Sequence, residues 1–524
     1  MKKKLIVGIC LCLVCIGVVS VRALYTDDDS IMNMKKIYNV DYQTYLDMQV
    51  ENKKKDDYTL NNPLILENPY QTSTTSLYLY FHTDEKVKIS YTIRADGVED
   101  FSKELYGDYT TEHEYQLIGL VPRKNNTITL TAKNENNEII DTYEFEYKAP
   151  ELLSGEDNEY LTVEKGTSQQ EVSDGLYTVL GNDTSENDEE IDYIFLYDEN
   201  GTIRSEIPII SYRSHRLLFD DDMMYYSASS GIIAGMNRLG QITEIINTGE
   251  YKLHHDYIYG SQNDFLVLAT KKDADTVEDR IISINRDTNE VKELIDLGHL
   301  LPQYKNSLSH QDSELDWAHI NSIALIDDDS IVISSRETST IIKIDSIYDN
   351  PTIDYMIGSP TFWQESGYDD LLLQQIGNFS LQAGQHCVTY QEDDSLADGQ
   401  YYLYMYNNNN AICSTRGYDY SKDDYYYDTG KSTTGDQSYY YKYLVDENKR
   451  TFELVDSQEV TYSGYVSSVQ IDEGNLIVDS GSAFQTVEFD ENKEVIQTLI
   501  GTGDTWWYRV FKYDYEGYWF FITQ

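Results

Sequence analysis

Positive charge is what this sequence lacks most. Forty Lys and Arg stand against 91 Asp and Glu in 524 residues, a formal net charge of -51. A surface this negative repels phosphate backbones and anionic lipid headgroups, which excludes nucleic acid and an anionic membrane surface as partners. Cysteine is nearly absent, at five residues. Cys10, Cys12 and Cys15 sit at the extreme N-terminus, so Cys387 and Cys413 are all that the body holds. They make one disulfide or stay as two buried thiols, and one bridge is too little to organise a fold of this length. Proline is scarce at eight residues, while tyrosine reaches 48, a balance that suits a chain of many strands. Familiar catalytic signatures are missing too. There is no Gly-x-Ser-x-Gly elbow and no His-Glu-x-x-His pair. Gly430-Lys431-Ser432 lacks the preceding glycine a phosphate loop needs, because Tyr425 stands in its place.

At the N-terminus stands Met1-Lys2-Lys3-Lys4, followed by an uncharged apolar run from Leu5 to Val21 and then Arg22-Ala23. A basic start, an apolar middle and small residues at the end make residues 1–23 a signal peptide or an N-terminal anchor. Either one places the body outside the cytoplasm: extracellular, periplasmic or attached to the envelope. The acidity then reads as a solvated surface that keeps an exported protein soluble. Hydrophobic residues at 40% and aromatics at 13% are enough for a large core and exclude a disordered chain.

Within residues 24–60, the spacing of Ile31, Met34, Ile37, Tyr45 and Met48 predicts one amphipathic helix from Asp29 to about Lys55. Residues 61–150 alternate apolar and polar, as in Val87-Lys88-Ile89-Ser90-Tyr91-Thr92-Ile93, and predict a β-sandwich. Lys148-Ala149-Pro150 marks its end. Residues 151–524 repeat. Asn237 and Asn285 each open a turn between two strands and stand about 48 residues apart, the length of a four-stranded propeller blade. Similar hairpins begin at Asp198, Asp345, Asp446 and Asp490. The fold class is therefore all-β: an N-terminal β-sandwich followed by a six-bladed β-propeller. The last apolar strand, Tyr518 to Ile522, is expected to close the ring. The Tyr- and Asp-rich run from Tyr418 to Tyr441 reads as a solvated loop or hairpin, or more sharply as a lid over substrate.

Nine histidines are few, so their placement is informative. His254-His255-Asp256, Asp316-Trp317-Ala318-His319-Ile320-Asn321 and Gly384-Gln385-His386 each open a strand that leads into an acidic turn and a second apolar strand. The repeat near Ser467 carries no histidine at that place, so the blade plan does not require one. In a propeller the innermost strands all start at one mouth of the central channel, which brings the three histidines together. Arg336 begins the strand after the second. A fixed cation among histidines opposes a metal ion and suits an anion.

These segments, with Ser334-Ser335-Arg336 and Asn68-Pro69-Tyr70, resemble the bacterial aryl-sulfate sulfotransferases, exported enzymes that use no nucleotide sulfate donor. The likeness covers most of the chain. It implies a sandwich followed by a six-bladed propeller, and a covalent sulfohistidine on His386. It carries His255, His319, Asn321 and Arg336 into the site, with His254 as the alternative to His255. The family often has Asp after the Gln-His pair, where this chain has Cys387. No cofactor or metal is implied. The partners are a small aryl sulfate donor and a phenol acceptor, with a homodimer left open. In that scheme a neutral imidazole attacks sulfur, Arg336 and Asn321 donate to the sulfonate oxygens, and His255 or His319 handles the phenol proton. Two rivals stand beside it: a metallohydrolase with His255, His319 and His386 on zinc, and a non-catalytic propeller that binds an envelope partner or glycan.

Overall fold

The computed structural model describes residues 27–181, 191–308, 314–426, 437–503 and 505–521. The signal or anchor segment and Gly430-Lys431-Ser432 lie outside the described residues. The expected single N-terminal helix is two, Asp27–Ile37 and Val40–Glu51. Asn39 divides them. Its backbone is extended and its side chain accepts from the Tyr42 N–H, so a cap wins over helix continuity. The inward face also differs from the expected spacing. Tyr45 and Met48 are more than half exposed, while Met34, Ile37, Gln43 and Val50 are buried.

The sheets that follow turn on one long strand, Leu77–Ala95. Its first half pairs with Leu64–Glu67 and Thr110–Leu117, and its second half with Phe101–Leu105 and Asn125–Lys133. Ile139–Lys148 adds an outer strand. Val87, Ile89, Tyr91 and Ile93 are all buried, as their period-2 spacing requires.

Six four-stranded blades follow, two of them carrying an extra strand. All six Asn or Asp turns fall at the same place, between the third and fourth strands of a blade counted from the axis. Asp198, Asn237 and Asp490 each accept two backbone N–H groups of their own turn. The repeat signature is thus an Asx turn that reverses each blade at its rim.

Ring closure differs from expectation. Arg509–Tyr513 pairs with Leu176–Leu180 and forms the innermost strand of blade one. The apolar run beyond it leaves the ring. Phe520–Phe521 pairs with Phe101–Leu105 in the N-terminal sheet, and the Trp519 indole donates to Gln116. Tyr515 and Gly517 take positive φ and turn the chain there. Trp519 and Phe520 join a core shared by the sheets and the propeller, where burying each large apolar side chain contributes about 1.5–3 kcal/mol. Arg204, fully buried, adds a polar clasp, donating to Asp198 and to the Gly119 carbonyl.

Candidate active site

The innermost strands of blades three, four and five are Tyr251–Tyr259, Ile320–Asp327 and His386–Gln391. Each begins irregularly. The pairing register slips between Leu253 and Tyr257, between Ile320 and Ser322, and between His386 and Thr389. At each slip a non-glycine residue sits in the left-handed region: His255 at φ 56°, His319 at 47° and Cys387 at 54°. Such backbone costs about 1–3 kcal/mol per residue, and bulges of this kind re-aim side chains.

His386 is buried, and its Nδ1 lies 3.1 Å from the Gly384 carbonyl and 2.7 Å from Asn408 Oδ1. The Asn408 amide is oriented by its own donation to the Ser463 and Val466 carbonyls. Both partners of Nδ1 are therefore acceptors, so Nδ1 carries the proton and the lone pair is left on Nε2. Burial pushes the pKa of His386 well below the ordinary 6.5. The charges of Arg336, His319 and Arg509 add to that, against the Asn408 hydrogen bond. The ring is neutral at neutral pH.

His319 is held in the opposite state. Its Nδ1 lies 2.5 Å from Asp316 and 2.9 Å from Glu278. Burial opposes its charge, yet these two carboxylates prevail and raise its pKa to about 9. In return, despite burial, the charge of His319 keeps the Glu278 carboxyl well below the usual range. The His255 ring packs on His319 at 4.8 Å between centroids, and its Nδ1 is 3.0 Å from that of His254. Burial and the neighbouring cations push the pKa of His255 well below 6.5. Of the two adjacent histidines, His255 is thus the one whose ring meets His319.

Arg336 is half-buried, and its backbone N–H donates to the His319 carbonyl. Among the described residues no ion pair engages its guanidinium. Asn321 is fully buried, and its amide donates to the Gln385 carbonyl at 2.8 Å. Ser334 donates to the same oxygen, and the Gln385 amide returns to Ser334. Asn321 therefore stands behind His386 and fixes its approach. Beneath the histidines, fully buried Arg509 pairs with Asp256 at 3.0 Å and donates to the Asn321 carbonyl. Arg216 grips the same carboxylate with two nitrogens. This ionic plug ties the inner strands of blades one, three and four together beside the histidine cup.

Two groups have the spacing to hold a cation: His254, His255 and Glu278, and Glu278, Asp316 and His319. His386 belongs to neither, so the rival zinc set is not gathered at ligand distance among the described residues. Cys387 and Cys413 are buried free thiols, the second of the two alternatives left by the sequence. Cys387 points its Sγ toward the Val469 carbonyl, and burial pushes the Cys413 thiol up to about 11. The Tyr-rich run divides. Tyr439, Tyr440 and Tyr441 lie in a blade-five strand, and Tyr418 and Tyr420 pack against Phe362.

No sequence motif marks Glu278, Asn408 or Arg509, and Asp316 stands in one only as the opening residue of the segment that carries His319. Glu278 and Asn408 sit on hairpin loops between second and third strands, which open at the same mouth as the inner strands. That blade geometry was the one signal available for them.

A family model described as Arylsulfotransferase (ASST) matches residues 161–509. A second, described as Arylsulfotransferase Ig-like domain, matches residues 64–150. No curated protein matches the chain. Among solved structures, the WD40 domain of Toxoplasma gondii coronin is similar at 10% identity over 66% of this chain and 77% of that one, with a TM-score of 0.33. A putative 6-phosphogluconolactonase from Bacteroides fragilis is similar at 12% identity over 82% and 98%, with a TM-score of 0.35. Likenesses this distant carry no argument about chemistry.

Proposed function

The chain belongs to the arylsulfotransferase family, and on that premise we propose that it moves a sulfuryl group from a phenolic sulfate ester to a phenol through a sulfohistidine on His386. The observation that carries this reading is what the two rings face: an amide oxygen on His386 Nδ1, and two carboxylates on His319 Nδ1. His386 is held neutral with Nε2 bare, while His319, one blade away, is held protonated. Sites that drive neighbouring groups to opposite protonation states separate nucleophile from acid.

In the first step the Nε2 lone pair forms a bond to sulfur as the sulfur–oxygen bond to the aryl group breaks. The leaving phenolate takes the proton of His319 Nε2. In the second step an acceptor phenol oxygen attacks the same sulfur, the nitrogen–sulfur bond breaks, and the phenol proton returns to His319. Arg336 supplies a fork of donors to the sulfonate oxygens, whose charge grows in a loose transition state. Asn321 acts through Gln385, holding the segment that presents His386. No nucleotide enters. Export through the N-terminal basic and apolar segment belongs to this proposal, because phenols and their sulfate esters would be met outside the cell.

The test is incubation with a chromogenic aryl sulfate and a phenol acceptor, without nucleotide and with a chelator present. The expected result is release of the chromogenic phenol that rises with acceptor concentration. Release that needs added metal, or none at all, contradicts the proposal. Asn408→Ala removes the acceptor that fixes the His386 tautomer. Losing such a buried partner costs about 1–3 kcal/mol, so kcat should fall roughly ten- to a hundredfold with KM little changed. Steady-state kinetics check it.

A further inference from the structure

The mouth of the propeller is chemically divided. Histidines mark blades three, four and five, whereas the chain entering blades six and one presents aromatic residues, Tyr465 and Trp506. The loop that carries Tyr465 is pinned. Asn408, which holds His386, donates to the carbonyls of Ser463 and Val466 on either side of it. Asn410 donates to Gly464, and the Ser463 hydroxyl donates to the Tyr465 carbonyl. So firm a backbone still leaves the Tyr465 side chain 37% exposed. Its ring meets Trp506 edge to face, 5.4 Å between centroids and 87° between planes. The Trp506 indole N–H is shielded from solvent and has no acceptor among the described residues. A shielded donor without a partner calls for one.

We propose that Tyr465 and Trp506 form the aryl-ring subsite, occupied in turn by the donor's ring and by the acceptor phenol. Two rings at a right angle leave a corner in which a third can stack on one and meet the edge of the other. The indole N–H then finds its acceptor in the oxygen borne by the aryl ring, ester oxygen in the donor and hydroxyl in the acceptor. The ligand class is a planar aryl sulfate or phenol, and alkyl sulfates fall outside it. This rests on the reading above that aryl sulfates are the substrates.

The experiment separates the two claims. His386→Ala, which stops turnover, is titrated calorimetrically with naphthalene-2-sulfonate, a ring that cannot be transferred, and with methanesulfonate as the ringless control. Adding Trp506→Ala or Tyr465→Ala should weaken the aryl sulfonate about tenfold and leave methanesulfonate unchanged. In the otherwise native enzyme each substitution should raise KM for aryl sulfates with kcat nearly constant. Trp506→Phe keeps a ring but removes the N–H, and it serves if the alanine variant fails to fold. Undiminished binding in variants with native thermal midpoints overturns the subsite and leaves the transferase reading intact. A parent protein that binds no aryl sulfonate and turns over no aryl sulfate overturns both.

Discussion

His386→Ala will abolish sulfuryl transfer. Without the imidazole there is no bond for sulfur to form in the first step, and removing a catalytic nucleophile costs roughly 10⁴–10⁶-fold in kcat. The loss should come with a native fold, because His386 contributes one ring to a wall held elsewhere. The Gly384–Gln385 segment stays tied to blade four through Asn321 and Ser334, and the plug of Arg509 and Asp256 is untouched. Circular dichroism and the thermal midpoint should stay near those of the parent while phenol release vanishes. Binding of a non-transferable aryl sulfonate should survive, since Arg336 and protonated His319 remain to receive the anion. A variant that keeps turning over aryl sulfate would refute the nucleophile assignment.

The second large effect belongs to His319. His319→Ala removes both the general acid and one of the cations in the cup, and loss of acid–base help alone costs about 10²–10⁴-fold. The pH dependence gives a sharper signature. The folded pKa of His319 is raised to about 9 from an ordinary 6.5. Its contribution to stability is therefore complete below 6.5 and is lost as pH rises through about 9, and its acid role is lost in the same rise through about 9. His386 shifts the other way, so its ring stays neutral until the pH falls well below 6.5. A rate plateau should span neutrality, with its alkaline limb near 9. Glu278→Gln removes a carboxylate that sustains the raised pKa and should move that limb toward neutrality, while a merely structural role for Glu278 would leave the limb in place. The rate profile of the two proteins between neutrality and strongly alkaline pH decides.

Much of the architecture was legible because it repeats. Six Asn or Asp turns at equivalent hairpins mark six blades, and the period-2 strands from Val87 to Ile93 mark the N-terminal sheets. The histidines were legible for the same reason: each stands where an innermost strand begins. What did not repeat was hidden. Asn39 cut one helix into two through a local hydrogen bond that apolar spacing does not encode. The run around Trp519 and Phe520 is as apolar as a ring-closing strand, but the shorter chain at Arg509–Tyr513 already fills that place, so the run is free to pair with the N-terminal sheet. Asn321 reads as a donor to substrate, and one donor of its amide also goes to the buried carbonyl of Gln385, a tie that no motif encodes. Glu278 and Asn408, which set the protonation of two histidines, sit on hairpin loops with no motif around them. Cys387 and Cys413 remain apart because each is buried in its own surroundings.

The central claim is a covalent nitrogen–sulfur bond at one residue. The protein should be mixed briefly with an aryl sulfate in the absence of any phenol acceptor, quenched, and mapped by peptide mass spectrometry. One added SO₃ on the peptide carrying His386, removed when phenol is supplied before the quench, is the expected result. Turnover with no adduct, or an adduct on another residue, would contradict it.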